Sequence, residues 1–296
     1  MDLQLDQLRA LDAAVAEGTF EAAARRLRVT PSAVSQRIKA LEMAVGRILL
    51  QRTKPVRPTD SGRAVLRLAR QIELLTGDTA RELGAAERDS PELVRIPLAV
   101  NADSLETWVL PALGDAPAGV CFEIHREDEE HTIGLLRDGT VMAAVTATAE
   151  PVQGCTVRRL GAMRYRPMAT PDFVRTWFAE GATARAFAAA PVVVFDRKDD
   201  LQDRMMRRRA RRPLDPPRHY IPSSSGFVEA VRRGLGWGMI PDLQATADLP
   251  SGRLVVLDPR LHIDVPLYWQ QWRLDSPALG AVATTVAAAA AASLRR

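Results

Sequence analysis

The stretch Thr30-Pro31-Ser32-Ala33-Val34-Ser35-Gln36-Arg37-Ile38-Lys39-Ala40-Leu41-Glu42-Met43-Ala44-Val45-Gly46 decides how the N-terminal part of the chain folds. Thr30 suits a helix N-cap, Pro31 the first helical position and Gly46 the stop. Val34, Ile38, Leu41 and Val45 form one apolar stripe of this helix, while Ser32, Ser35, Gln36 and Lys39 occupy the opposite face. Upstream, Leu5, Leu8, Leu11 and Val15 recur at helical spacing until Gly18, and a second short helix covers residues 20–27. Arg28-Val29-Thr30 leaves only a tight connection between the second and third helices. Two short helices joined this way place the later one in a DNA major groove. Residues 48–51 and 56–57 read as two strands around the turn Thr53-Lys54-Pro55, which adds a wing. The expectation is a winged helix-turn-helix.

Charge supports this expectation. Between Arg25 and Arg57 there are nine basic residues and one acid, Glu42, although the whole chain carries only +4. Such a local excess suits a polyanion. The candidate DNA contacts are Ser32, Ser35, Gln36, Arg37 and Lys39 on the third helix, with Arg52, Lys54 and Arg57 on the wing. Serine and glutamine meet base edges, and glutamine matches the paired donor and acceptor of adenine. Arg37, on the flank, is placed for phosphate, and the wing cations for the backbone or minor groove. A small bundle with a solvated basic face is the bland alternative; the agreement of cap, turn, stripe and wing argues against it.

The remaining chain sorts into two segments. Thr59 caps a long helix with Gly62 in its first turn, and Val65, Leu68, Ile72, Leu75, Thr79 and Glu82 step by three and four as in a coiled-coil seam. The pattern fades near Gly84, and Asp89-Ser90-Pro91 reads as a linker. From Pro91 on, apolar runs at 94–100, 141–145, 192–195, 237–240 and 267–269 alternate with helical stretches at 106–113, 132–137, 172–180 and 226–233. This alternation implies an α/β domain with largely parallel sheets. With 296 residues, 47% apolar and 26% charged, the chain has the composition of a soluble globular protein of two or three domains. The alanine-rich end is too short and too weakly apolar to span a membrane, and the acidic N-terminus is unlike a secretory signal, so a cytoplasmic location is expected. Cys121 and Cys155 are read as reduced.

Phe20-Glu21-Ala22-Ala23-Ala24, Ser32 through Glu42, Leu49-Leu50-Gln51-Arg52 and Pro58-Thr59-Asp60-Ser61-Gly62 together resemble the LysR-type transcriptional regulators. Leu98 through Leu105, Thr107-Trp108, Glu127-Asp128-Glu129, Ala190 through Val193, Phe195-Asp196, Gly238 through Pro241 and Leu267-Tyr268-Trp269 resemble one branch, the ArgP/LysG type that controls lysine and arginine export. The resemblance covers nearly the whole chain. It implies a winged helix-turn-helix at 1–59, a dimerisation helix and hinge at 60–90, and an α/β effector domain at 91–296 built like a periplasmic binding protein. Subdomain one would hold 91–165 and 268–296, and subdomain two 166–267. It also implies partners: double-stranded DNA, a lysine or arginine effector, RNA polymerase, and further copies in a homodimer or homotetramer. The arginine run at 204–212 and the polyalanine C-terminal helix depart from the branch. The arginine run reads as a solvated helix face, with DNA or a partner as the alternative.

The resemblance places an effector between the subdomains. Asn101-Ala102-Asp103-Ser104 follows a strand and opens a helix, where Ser104 and unpaired amides suit a carboxylate. A basic side chain needs acids, and Asp103, Asp128, Glu127, Glu129, Asp196, Asp199 and Asp200 lie near predicted strand ends. Thr146 and Thr148 follow another strand, and Ser224 and Ser225 precede a helix. The effector candidates are therefore Asn101, Asp103, Ser104, Asp128, Thr146, Thr148, Asp196 and Ser224, with Ser104, Asp128, Thr146 and Asp196 favoured by family position. Not every acid in such a set contacts ligand.

An enzyme is not expected. Ser223-Ser224-Ser225 lacks the nucleophile-elbow frame, no phosphate loop occurs, and the glycines at 234, 236 and 238 lack dinucleotide spacing. His125, His131, His219 and His262 show no zinc spacing, and neither cofactor nor metal is expected; a divalent-ion loop at 125–131 is the weak variant. A different class of reading is an architectural protein that binds A·T-rich DNA, or blocks replication-origin opening, without any ligand.

Overall fold

The computed structural model describes residues 2–83, 93–116, 118–126 and 129–296, the last range by backbone only at 129–131. The expected linker at 89–91 and Asp128 lie outside the described residues.

The N-terminal unit contains α1 (Leu5–Glu17), α2 (Phe20–Leu27), α3 (Pro31–Val45), β1 (Leu50–Gln51) and β2 (Arg57–Pro58). Thr19 Oγ1 accepts from the Ala22 amide and Thr30 Oγ1 from the Ala33 amide, so both later helices start on a side-chain cap. Leu8, Leu11, Val34, Ile38, Leu41 and Leu49 are all essentially buried and form one core. Truncating any of them would cost about 2–5 kcal/mol. Glu42 Oε1 accepts from the Leu49 amide at 2.8 Å, which ties α3 to the antiparallel β1–β2 wing.

The long α4 (Asp60–Glu82) starts on Thr59, whose Oγ1 accepts from Gly62 N and donates to Ile48 O at 2.8 Å. Val65, Leu66 and Ala69 of α4 join the N-terminal core, whereas Leu74 joins the core of the effector domain. The first position of the expected seam is therefore not on the surface. Val65 is used up inside its own protomer, and Leu68, Ile72, Leu75 and Thr79 remain exposed or half-buried.

The effector domain continues with β3 (Val94–Ala99), α5 (Ala102–Ser104), a π-helical turn (Leu105–Val109), α6 (Leu110–Gly114), β4 (Val120–His125), α7 (Glu129–Arg137), β5 (Ala143–Thr146) and β6 (Cys155–Ala169). Then follow α8 (Pro171–Trp177), α9 (Ala184–Ala189), β7 (Val192–Val194), α10 (Leu201–Ala210), β8 (Arg218–Tyr220), α11 (Ser224–Arg232) and β9 (Gly238–Pro241). The chain closes with α12 (Asp248–Ser251), β10 (Val255–Val256), β11 (Ile263–Trp272) and α13 (Pro277–Ser293). A first α/β unit has β3 between β4 and β5, all parallel, with β11 and β6 added beyond β5. A second unit arranges β9 and β10 on β6, with the parallel pair β7–β8 joined to β9 through a bridge at Trp237.

The largely parallel sheet expected from the alternation is corrected here. β11 pairs antiparallel with β5 and with β6, and β6 pairs antiparallel with β9 and β10. The reason is connectivity: β6 leaves the first unit, and β11 returns alongside it. The alanine-rich α13 lays Leu279, Val282, Val286 and Ala290 against α6, the π turn and β6. Among the described residues no helix is long and apolar enough to cross a membrane.

Gly62 marks where α4 crosses the wing. A Cβ there would sit 1.9 Å from the Leu49 carbonyl oxygen, a backbone atom that cannot swing away. Gly62→Ala is expected to destabilise the N-terminal unit by about 1–3 kcal/mol. Hydrogen exchange of the α1–α3 amides in the full chain should speed up accordingly, and unchanged protection would refute this packing.

Candidate functional site

Two sites emerge from this architecture. On α3, Ser32, Gln36 and Lys39 are exposed and Ser35 is half-buried, in the i, i+3, i+4, i+7 series of one helix face. Val34, Ile38 and Leu41 hold that face outward by burying the other. Ser32 Oγ lies 2.9 Å from Thr30 Oγ1 at the helix start. Arg52, Lys54 and Arg57 are exposed on the wing, and the Arg52 guanidinium stands 5.9 Å from the Phe20 ring centre, linking wing and α2. Arg37, expected to face phosphate, has its Nε 3.1 Å from Asp6 of α1, so in this structure its charge is paired within the protein. The sequence could not show this pairing, because Asp6 and Arg37 meet only once the helices pack.

The second site is a cleft of about 700 Å³ between the two α/β units. Asn101, Asp103, Asp196 and Ser224, drawn from three separate places in the chain, line it together. Asp103 bridges its two sides. Its carboxylate accepts from Tyr165 Oη at 2.8 Å and from Ser224 Oγ at 2.6 Å, and Ser224 in turn accepts from Gln244 Nε2 at 2.6 Å. These bonds connect the first unit to the second. Burial and the Asp103 carboxylate push the Tyr165 phenol well above its ordinary range. Asp199 is held by the Phe195 amide at 3.0 Å and the Leu201 amide at 3.1 Å. Burial nevertheless raises its carboxyl, with the neighbouring Asp103 charge adding in the same direction. Asp196 accepts from the amides of Lys198 and Asp199. Arg126 and Lys198 also line the cleft. Three carboxylates against two cations suit a solute that carries more positive than negative charge.

Other expected effector contacts are not in the lining. Ser104 is fully buried, and its amide is capped by Asn101 Oδ1 at 3.0 Å, so the unpaired amide expected there is already satisfied. Thr146 Oγ1 donates to Thr148 O and accepts from Thr148 N, closing a local turn at the end of β5. The cleft also recruits Tyr165, Gln244, Phe195 and Arg126, none of them an effector candidate from the sequence, and Asp199, noted there only as one acid among several. Tyr165 lies within β6, a strand that the sequence reading did not recognise. Gln244 follows β9 in a short 3₁₀ turn.

Comparison with known proteins identifies the family of both domains. Residues 5–63 match the family described as bacterial regulatory helix-turn-helix protein, lysR family, and residues 94–291 match the LysR substrate binding domain. The chain is 47% identical over 298 residues to the HTH-type transcriptional regulator LysG of Mycobacterium tuberculosis, covering 100% of this chain and 97% of that protein. The crystal structure of ArgP from Mycobacterium tuberculosis superposes with a TM-score of 0.87 at 46% identity, covering 98% of each chain. The full-length LysG of Corynebacterium glutamicum with bound effector Arg superposes at 0.77 and 40% identity, covering 99% of this chain and 100% of that one.

The exposed α3 face leads to a paired prediction. Gln36→Ala should weaken specific binding by roughly 1–3 kcal/mol and relax preference at one base pair. Lys54→Ala should weaken all duplexes alike and flatten the salt dependence measured by titration. Parent-like binding by both variants would rule out this face.

Proposed function

We propose, on the premise that the chain belongs to the LysR family of DNA-binding transcription regulators, that it reads a specific operator through α3 and answers to lysine or arginine held in its interdomain cleft. It is a regulator of the LysG/ArgP type and not an enzyme. The observation that carries the effector assignment is the set Asp103, Asp196 and Asp199 on the cleft lining, with Arg126 and Lys198 beside them. The cationic side chain of the effector faces the aspartates and its α-carboxylate faces Arg126 and Lys198. The arginine in the Corynebacterium glutamicum relative supports the same chemistry.

Binding acts on DNA by differential affinity. An effector that touches both units favours the closure in which both contacts form, and only that difference shifts the DNA-bound state. The stripe Leu68, Ile72, Leu75 and Thr79 along α4 fits pairing with a second copy, and two such pairs form a tetramer. The altered operator complex is read by RNA polymerase, and the regulated gene encodes an exporter of basic amino acids.

Calorimetry of the full chain with arginine, lysine and histidine tests the effector. Arginine or lysine should release heat, and Asp199→Asn should weaken binding at least about tenfold, or about 1.4 kcal/mol. No heat from any of the three removes the reading. The pH dependence has a definite sign. A cation pairs with ionised Asp199, and burial raises that carboxyl, so protons compete at higher pH than for an ordinary aspartate. Affinity should therefore fall on acidification, starting at a higher pH than an ordinary aspartate would give, and an affinity that rises would contradict the assignment.

A further inference from the structure

A cluster of arginines on α4 lies outside both sites. Arg63, Arg67 and Arg70 recur at steps of four and three and so share one helix face. All three engage the turn that ends α7. Arg63 Nε lies 3.3 Å from Asp138 Oδ1. Arg67 Nη1 donates to Arg137 O at 2.9 Å, and Arg70 Nη1 donates to Gly139 O at 2.9 Å. Helix C-termini carry exposed carbonyls and partial negative charge, so guanidinium groups suit this end of α7.

Arg70 does more than its neighbours. Its Nε also donates to Asp12 Oδ1 of α1 at 2.8 Å. One guanidinium thus joins the DNA-binding unit to the effector domain. The pair is nearly enclosed, with side-chain exposures of 14% for Arg70 and 9% for Asp12. Arg26 of α2 adds a second cation 3.5 Å from Asp12. Low exposure makes this contact stiffer than a surface ion pair, because leaving either charge unpaired in such a place is costly.

α7 starts on the cleft side of the sheet, because β3 and β4 run parallel and the residues just after both, Asn101 and Arg126, line the cleft. Arg126 lines the cleft, and α7 begins at Glu129. A helix of this length spans roughly 13 Å. The turn it ends in is packed without slack: a Cβ on Gly139, which has φ +67°, would lie 2.6 Å from Arg67 Cβ and 2.7 Å from its Cα. A shift of α7 must therefore move α4 or break this contact.

We infer that Arg70 is the positioning residue through which closure of the effector cleft sets the orientation of the DNA-binding unit, by holding Asp12 and the end of α7 at once. This rests on the cleft reading above and adds a route from it to the DNA. The contact gives the two units a shared, discrete element, which a coupling claim requires.

The test uses the full chain and two independent perturbations. Arg70→Gln removes the shared guanidinium, and Gly139→Ala forces the turn away from α4. Arg207→Gln, an exposed arginine on α10, is the charge control. Spin labels at Glu21→Cys and Asp215→Cys, with Cys121 replaced by Ser and labelled protomers diluted into unlabelled ones, report the separation of the DNA-binding unit from the second unit. In the parent and the control, arginine should change the operator footprint and the distance should be narrowly distributed. In both clamp variants arginine should still bind by calorimetry, while the footprint change is lost and the distance distribution broadens. Parent-like footprints and distances in both variants overturn the inference. Loss of arginine binding in both also overturns it, since Arg70 would then act on the cleft itself. If the parent neither binds nor answers arginine, the cleft reading fails, and the distance distribution alone decides the clamp: broadening supports it and an unchanged distribution refutes it.

Discussion

The two halves of the effector domain are built on one antiparallel ribbon, in which β6 and β11 pair from Ile263–Tyr165 to Trp272–Cys155. The lower half of that ribbon belongs to the sheet of the first unit through β5, and the upper half to that of the second through β9 and β10. Because the same strands serve both sheets, the units cannot separate without breaking ladder hydrogen bonds. The ladder is irregular between Leu267 and Tyr268, where the ribbon passes from one unit to the other, and such an irregularity bends and twists a strand. The cleft exists because of this arrangement, and Tyr165 reaches it directly from the ribbon. Asp103, bonded to Tyr165 and to Ser224, spans the opening from the first unit to the second.

A second shared element, α4, works in the same way at larger scale. Its first turns are part of the N-terminal core through Val65, Leu66 and Ala69, and Leu74 further along enters the effector-domain core. Neither domain keeps the helix to itself. Thr59 and Gly62 fix its start against Leu49, so the direction in which α4 leaves is set by the wing. The proposed pairing with another copy is left to the residues along its remaining surface, chiefly Leu68 and Leu75.

The N-terminal unit was legible in the sequence because its signals are local. Thr30, Pro31, Gly46 and the stripe of Val34, Ile38 and Leu41 each act within one helix, and the structure uses all of them as read. The long β6 was not legible. Its first half is exposed and carries Arg158 and Arg159, and Arg164 and Arg166 interrupt the second half, so no apolar run or clean alternation announces a strand. The cleft was legible only in part. Asn101, Asp103, Asp196 and Ser224 sit at strand ends or helix starts, where function concentrates, and they do converge. Ser104 and Thr146 have the same sequence setting, yet one is capped by its neighbour and buried and the other closes its own turn. Which of several polar residues at a strand end faces a cleft depends on packing between distant elements, and sequence spacing does not encode it.

Arg67, beside the clamp residue, places its guanidinium 5.1 Å from the ring centre of Trp272 at the end of β11. Trp272 is buried, and this cation lies against its face. Indole emission responds to nearby charge. Trp272 is one of five tryptophans, so a chain that keeps it and replaces the other four would carry an optical gauge of how tightly the long helix sits on the sensor half, read without any dye as a change in colour or brightness.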